Sequence, residues 1–433
     1  MSPLVRRVIA SLGANAFGQG VNVIIQVMSL PLFLHKWDAT TYGVWLMLSA
    51  VPGYLLMADV GMVNTAGNRM TMAMGQGDSA QANQIFQSAL VFMIVACCGL
   101  ALLTVPLILM APLPGLDLLS KRIALAALVL GVLLSLFSGL ADAIFRATGR
   151  YALGTLFSNV FRLSEWGGWI VGLYIWGTFS GVALTGLAVR VMAVIVLALI
   201  ARKDAGGIRY GFADARFAEV KSMAVPAVTF MAFPLTNALS FQGSTLLVGN
   251  LLGPAVVTVF NTYRTLARVA VQLTGIFSFA LWAEFSRLYG QGGARAVKAL
   301  YSRSTLIGSG LAIGMSLVLF LVGPWLLQVW THGVIRYDSG LMLVLLTYAA
   351  AGGVQHVSRV LLMSTNQHMG LAQWSLFAAL FMLALGWAMA HPWGLMGVSI
   401  SMLIAEALMV FICLMLSRRL LSDGPTVTHG SLA

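Results

Sequence analysis

Residues 75–86 read GQGDSAQANQIF, and residues 290–301 read GQGGARAVKALY. The two stretches share Gly-Gln-Gly and close on matched apolar pairs, Ile85-Phe86 and Leu300-Tyr301. Gly75-Gln76-Gly77 looks like the opening of a phosphate-cradling loop, but such a loop needs a strand before it and GK[ST] after it, and neither is present. The stretch is better read as a polar turn, with Asp78 or Ser79 capping a helix that runs on through Phe86. Its echo lies 215 residues on, almost half of the 433-residue chain. ATGRY at 147–151 faces STNQH at 364–368 at an offset of 217, and Asn22 faces Asn237 at 215. These nearly equal offsets predict two matched halves.

Composition says what the halves are made of. The chain is 59% hydrophobic and 9% charged, with a mean hydropathy of +0.91. A water-soluble surface needs roughly a quarter of the residues charged, so most of this surface must face something apolar. Apolar runs of about 20 residues, each able to cross about 30 Å of hydrocarbon, identify a bilayer. A lipid-facing barrel would show short alternating segments instead. The expected fold is an all-α polytopic membrane protein with spans near 8–34, 42–66, 85–111, 122–146, 152–176 and 180–201, then 222–249, 254–283, 298–322, 340–363, 369–391 and 394–417. That divides into an N-terminal six-helix lobe (1–201), a cytoplasmic linker (202–221) and a C-terminal six-helix lobe (222–433). Six is even, so both lobes start on the same side and their pseudo-twofold axis follows the membrane normal. Arg6 and Arg7 precede an apolar stretch as in a signal peptide. That stretch is too long and is broken by Asn15, Gln19 and Asn22, which favours a retained first span.

Basic residues orient the layout. One side receives Arg6, Arg7, Arg69, Arg146, Arg150, Arg202, Lys203, Arg209, Arg216, Lys221, Arg287, Arg295, Lys298, Arg303, Arg418 and Arg419; the other receives Lys36, Lys121, Arg122 and Arg336. The asymmetry places both termini in the cytoplasm. It also accounts for the net charge of +12 without a nucleic-acid partner. Trp37, Trp176, Trp325, Trp330 and Trp393 fall near the outer span ends, where interfacial anchors belong. Cys97, Cys98 and Cys413 lie in apolar segments without metal-ligand spacing and read as free thiols. The linker, with Ile208, Phe212 and Phe217 among its charges, suits a surface segment or an interfacial helix.

YLLMADVGMVNTAGNRM (54–70), NAFGQGVNVIIQVMSLPLFL (15–34) and TTYGVWLML (41–49) resemble the polysaccharide-transporter family, the Wzx-type flippases of lipid-linked oligosaccharides. These belong to the superfamily that also holds MATE exporters and lipid II flippases. The resemblance extends over the whole chain in length, span number and two-half layout. It implies two six-helix lobes around a central cavity that opens alternately to each side of a bacterial inner membrane. The cargo it implies is an undecaprenyl-type lipid-(pyro)phosphate-linked oligosaccharide. Membrane lipids are the expected surroundings, and the polymerase and glycosyltransferases of the same pathway the expected partners. No cofactor is expected beyond a coupling ion, H+ or Na+.

Polar groups inside the spans carry the site argument, because an ionisable side chain at mid-bilayer costs roughly 2.5–3.5 kcal/mol on insertion scales. Asn15, Gln19, Asn22 and Gln26 lie within roughly 60° of one another at about 100° per residue. This is a stripe suited to line a cavity or to bond a neighbouring helix. Asn261, Arg264, Arg268 and Gln272 form a second stripe, with Arg264 ~15 Å below the outer end of its span. Forked guanidinium donors match phosphate oxygens, so Arg264 and Arg268 are candidates for the phosphate, with Asn237 and the first-span amides for sugar hydroxyls. Pairing to Glu165 or Glu406 is the alternative. Arg162 and Glu165, at i, i+3, are expected to neutralise each other, and Asp142 and Arg146, at i, i+4, to pair. Arg190 and Glu406 are lone charges in the last helix of each lobe, and Glu406 or Glu165 is a candidate for a coupling proton. Asp59 sits at the family's Asp-x-Gly position, suited to the inner mouth or to close packing beside Gly61. His356 and Arg359 lie near an inner span end, where headgroups or substrate phosphate can bind. Pro226 and Pro234 should soften the seventh span.

No catalytic pattern emerges, with no GxSxG and no carboxylate cluster at metal spacing. Two other readings stay open. A MATE-like cation exporter would want an acidic cavity, whereas five mid-span arginines (162, 190, 264, 268, 359) face four acids (59, 142, 165, 406). A membrane glycosyltransferase or polymerase would want a sizeable outer loop.

Overall fold

The computed structural model describes residues 3–59, 61–110, 118–203, 206–282, 285, 288–289, 294–365 and 369–423. Every regular element among them is helical. In order these are α1 (Pro3–Leu34), α2 (Ala39–Ala50), a 3₁₀ segment (Val51–Asp59), α3 (Met62–Gly75), α4 (Ser79–Met110), α5 (Leu119–Ala147), α6 (Tyr151–Ile175) and α7 (Phe179–Lys203). There follow α8 (Phe217–Ala238), a π-turn (Leu239–Gly243), α9 (Ser244–Leu252), α10 (Pro254–Ala280), the α-helix Ala294–Thr331 (α11), Ser339–Ser364 (α12) and Met369–Asp423 (α13). Helices suit a bilayer because each satisfies its own backbone polar groups. Among the described residues seven helices are long and apolar enough to span: α1, α4, α5, α7, α11, α12 and α13. The other expected spans map onto α6 and α10, which carry arginines and amides, and onto two interrupted rods, α2–α3 and α8–α9. α13 holds two rods, broken at Gly394 (φ 55°, ψ −136°) just after Pro392.

The span expected over 42–66 is not one continuous helix. Pro52 lacks the N–H that an α-helix needs, the chain tightens into 3₁₀, and α3 restarts from Gly61 at φ 75°. The span expected over 222–249 breaks at the π-turn, which begins a turn and a half beyond Pro234. Asp78 caps α4 as expected, its Oδ1 accepting from Gln81 N at 2.8 Å.

The chain folds as two compact units, Met1–Leu235 and Thr236–Ala433. In the first unit α5 is the hub, packing on α3, α4, α6 and α7 through Ala124, Val129, Leu133, Leu140 and Ile144. α6 meets α7 at Gly172, where a Cβ would lie 2.6 Å from the Gly181 carbonyl oxygen. A small residue there lets the backbones approach. Phe33, Trp37, Tyr42, Trp45 and Phe179 form an aromatic knot, with Trp37 Nε1 donating to Gly177 O at 2.7 Å. Trp37 and Trp330 are therefore not lipid-interface anchors; they are 7% and 9% exposed, whereas Trp176, Trp325 and Trp393 are more than half exposed. Residues 206–216 form an irregular strap bonded to α4, not an interfacial helix. In the second unit α12 is the hub, packing on α10, α11 and α13. Large exposed side chains such as Leu102 (75%) and Phe411 (66%) suit the hydrocarbon.

Candidate functional site

α1 presents its amide stripe to α6 in the first unit. A cleft of about 300 Å³ opens there, lined by Asn15, Gly18, Gln19, Asn22, Asp142, Arg146, Tyr151, Thr155, Ser158, Asn159 and Arg162. Three of the four stripe residues thus share one wall; Gln26, further along α1, is half-buried outside the lining. Gly18 makes the close approach possible, since a Cβ there would fall 2.6 Å from Asn159 Nδ2. Arg162 Nη1 donates to Asn22 Oδ1 at 2.7 Å. Ser158 Oγ donates to Asp142 at 2.7 and 2.9 Å from the two carboxylate oxygens. Arg146 Nε is buried without a hydrogen-bond partner among the described residues. Two guanidiniums and one carboxylate leave the lining net positive, amid amides and hydroxyls that both donate and accept. That chemistry suits an anion carrying hydroxyl groups.

On the other side of α6 the expected Arg162–Glu165 pair does not form. Glu165 takes its salt bridge from Arg190 of α7, so Arg190 is not a lone charge. Arg162 turns to α1 because Glu165, three residues on, is aimed across at α7. The Glu165–Arg190 pair lines a separate cavity of about 220 Å³ with Ser49, Ser135 and Trp169. Asp142 has the charge of Arg146 beside it, as expected, and takes a hydrogen-bond donor from Ser158 across the α5–α6 contact.

In the second unit Arg264 is 3% exposed. Its Nη1 donates to Phe241 O at 3.0 Å and Ser244 Oγ at 2.8 Å. Its Nη2 donates to Thr245 Oγ1 at 2.8 Å and to Asn261 Oδ1. The Arg264 and Arg268 guanidiniums lie 3.8 and 4.4 Å from the Phe241 ring centroid, as cation–π contacts require. Arg264 thus engages the π-turn, whose backbone leaves the regular i→i−4 ladder. Arg268 and Gln272 are half-buried further along α10, and Asn237 is exposed in the last turn of α8. Glu406 accepts from Gln355 Nε2, and Gln355 Oε1 accepts from Cys413 Sγ at 3.1 Å, so Glu406 is not isolated. His356 Nδ1 lies 3.1 Å from Gly352 O, and Arg359 is half-buried nearby on α12. The side chain of Asp59 lies outside the described residues.

Sequence reasoning missed Thr155, Ser158, Asn159 and Arg146 as lining residues. The signal was present: Thr155, Ser158, Asn159 and Arg162 recur at i, i+3, i+4 and i+7, one face of a helix as on α1.

No family model matches the chain, and no curated protein matches it. Solved structures do. An inward-facing multidrug resistance MATE family transporter of the MOP superfamily is similar with a TM-score of 0.73 at 14% identity, covering 93% of this chain and 98% of that one. An outward-facing structure of the same description gives 0.67 at 14% identity, with 96% of each chain covered. A MOP superfamily transporter from Pyrococcus furiosus gives 0.60 at 14% identity, again covering 96% of each. The chain has the fold of these MOP-superfamily transporters.

Proposed function

We propose that this protein is a membrane transporter that moves a lipid-(pyro)phosphate-linked oligosaccharide from the inner to the outer leaflet of a bacterial inner membrane by alternating access. The observation that carries the reading is the net-positive, amide- and hydroxyl-rich cleft of the first unit. Arg146 and Arg162 would hold phosphate oxygens, and Asn15, Gln19 and Asn159 would meet sugar hydroxyls, while the lipid tail stays in the bilayer. Arg264, with both terminal nitrogens already bonded within its own unit, is a better strut than phosphate ligand. The Pyrococcus furiosus structure is described as having a binding pocket of reversed polarity that suggests a different function, so this fold accommodates pockets of either polarity. An ion gradient, H+ or Na+, is the proposed energy source, with both termini cytoplasmic.

A second reading, export of small molecules, draws on the multidrug description of the inward-facing and outward-facing MATE structures. Binding separates the two. Purified protein should bind a short-chain polyprenyl-pyrophosphate sugar, and Arg146→Gln with Arg162→Gln should weaken binding at least tenfold. Binding of lipophilic cations that the double variant leaves intact, with no binding of the anionic lipid, would overturn the first reading.

A further inference from the structure

The strap between α7 and α8 holds its backbone, its acids and its buried apolar groups against the protein. Arg209 N and Asp214 N donate to the side-chain oxygens of Asn83 and Gln87, each at 2.7 Å. Arg216 N donates to Ser88 Oγ at 2.9 Å. Ile208 is buried, and Tyr210 packs edge-on against Phe86 at 4.9 Å. The acids are bonded as well: Asp214, though exposed, accepts from Asn83 Nδ2 at 2.7 Å, and Glu219, at the start of α8, pairs with Arg69 at 3.3 Å.

The outward face carries two arginines against one acid, with two aromatics between and beside them. Arg209 and Arg216 are exposed, and beside them Phe212 is 63% and Phe217 81% exposed. Large aromatic side chains left in water at a helix start are costly; at a membrane interface they are favourable. The strap lies at the end of the first unit where α3, α5 and α7 finish, the end that also carries Arg146, Arg202 and Lys203. The positive-inside rule assigns that end to the cytoplasm, and the cytoplasmic leaflet is anionic.

We propose that residues 209–217 form a membrane-contact surface that seats the first unit on anionic phospholipid headgroups, with Arg209 and Arg216 meeting phosphates and Phe212 and Phe217 entering the interface. The amide-rich start of α4 is the cradle that presents this surface. Glu219 is neutralised by Arg69, and within 209–217 Arg209 and Arg216 outnumber the one acid, Asp214, whose carboxylate is held by Asn83. The inference requires a membrane protein with this orientation; it does not depend on the cargo.

The test uses the full-length protein in nanodiscs, with Phe217→Cys carrying a spin label and the exposed Cys98 replaced by Ala. Cys97 and Cys413 are buried. Immersion is read from collision with oxygen against a water-soluble nickel chelate. The label is expected to sit deeper in phosphatidylglycerol discs than in phosphatidylcholine discs. Arg209→Gln with Arg216→Gln should lower the immersed-to-free ratio in phosphatidylglycerol roughly thirtyfold, at about 1 kcal/mol for each basic side chain near an anionic surface. Both arginines are exposed, so the variant keeps the contacts to α4. A label equally water-accessible in both discs, or equally immersed in both, overturns the proposal.

Discussion

Replacing Glu165 with Gln strands Arg190. The two side chains are 13% and 17% exposed, and Arg190 Nε already lacks a partner among the described residues. Removing one member of a buried pair costs about 3–5 kcal/mol, because the other charge stays buried without compensation. The adjoining cavity of about 220 Å³ has room for water beside the charge, which places the expected loss near the lower end, about 3 kcal/mol. Arg190→Met should cost a similar amount. Glu165→Gln combined with Arg190→Met removes both charges together and should recover most of the loss, since neither charge is then left buried without a partner. Arg162→Gln serves as the contrast. It forfeits one bond to Asn22 at an exposed position, about 1 kcal/mol. Equilibrium unfolding in mixed micelles, arranged as two double-mutant cycles, measures both couplings. The structure requires more than about 2 kcal/mol between Glu165 and Arg190 and less than about 1 between Glu165 and Arg162. Additive effects in the first cycle, or strong coupling in the second, would refute the assignment of partners.

Arg264→Met should destabilise the second unit by more than about 3 kcal/mol, since Ser244, Thr245, Asn261 and the Phe241 carbonyl lose their shared donor; unfolding in the same micelles measures it, and a loss under about 1 kcal/mol would contradict the strut role. Asn83→Ala removes two of the bonds that hold the strap, so limited proteolysis between 206 and 216 should quicken at least several-fold while cleavage elsewhere is unchanged. Asp38 caps α2 by accepting from Thr41 N at 2.8 Å, and its hydrogen bonds to Thr41 hold its carboxyl below the usual range. A depressed carboxylate contributes stability above its unfolded pKa and loses it as pH falls through the folded value. Protection of the Thr41 amide against exchange should therefore decline only in acid, and Asp38→Asn should abolish that pH dependence while keeping the cap.

Much of the fold is legible in the chain because a bilayer imposes length and hydropathy on each span. The echo at 75 and 290 marks a helix start in each half: α4 begins at Ser79 within the first copy and α11 at Ala294 within the second, whose residues 290–293 lie outside the described residues. The breaks are harder to read. Pro52 and Gly61 are visible, but a continuous apolar run hides their effect, and no residue type announces a π-turn at 239–243. For the site, the α1 stripe locates one wall of the cleft by helical spacing alone. The pairing inferred along one helix fails for Arg162 with Glu165, which turn to Asn22 and Arg190, whereas Asp142 keeps the charge of Arg146 beside it and adds the Ser158 hydroxyl. Spacing reports which residues share a face, and only packing between helices decides which neighbour that face meets. Arg264 shows the same limit, since its partners Ser244 and Thr245 lie on the far side of a loop from it.

The most direct test of the central claim is translocation in proteoliposomes. A fluorescent short-chain polyprenyl-pyrophosphate oligosaccharide is placed in one leaflet, and its appearance in the other is followed by loss of protection from an added quencher. Vesicles holding the wild-type chain should move it, and vesicles holding Arg146→Gln with Arg162→Gln should move it at least tenfold more slowly with equal folded protein. A rate that the double variant leaves unchanged, or transport confined to lipophilic cations, would contradict the account.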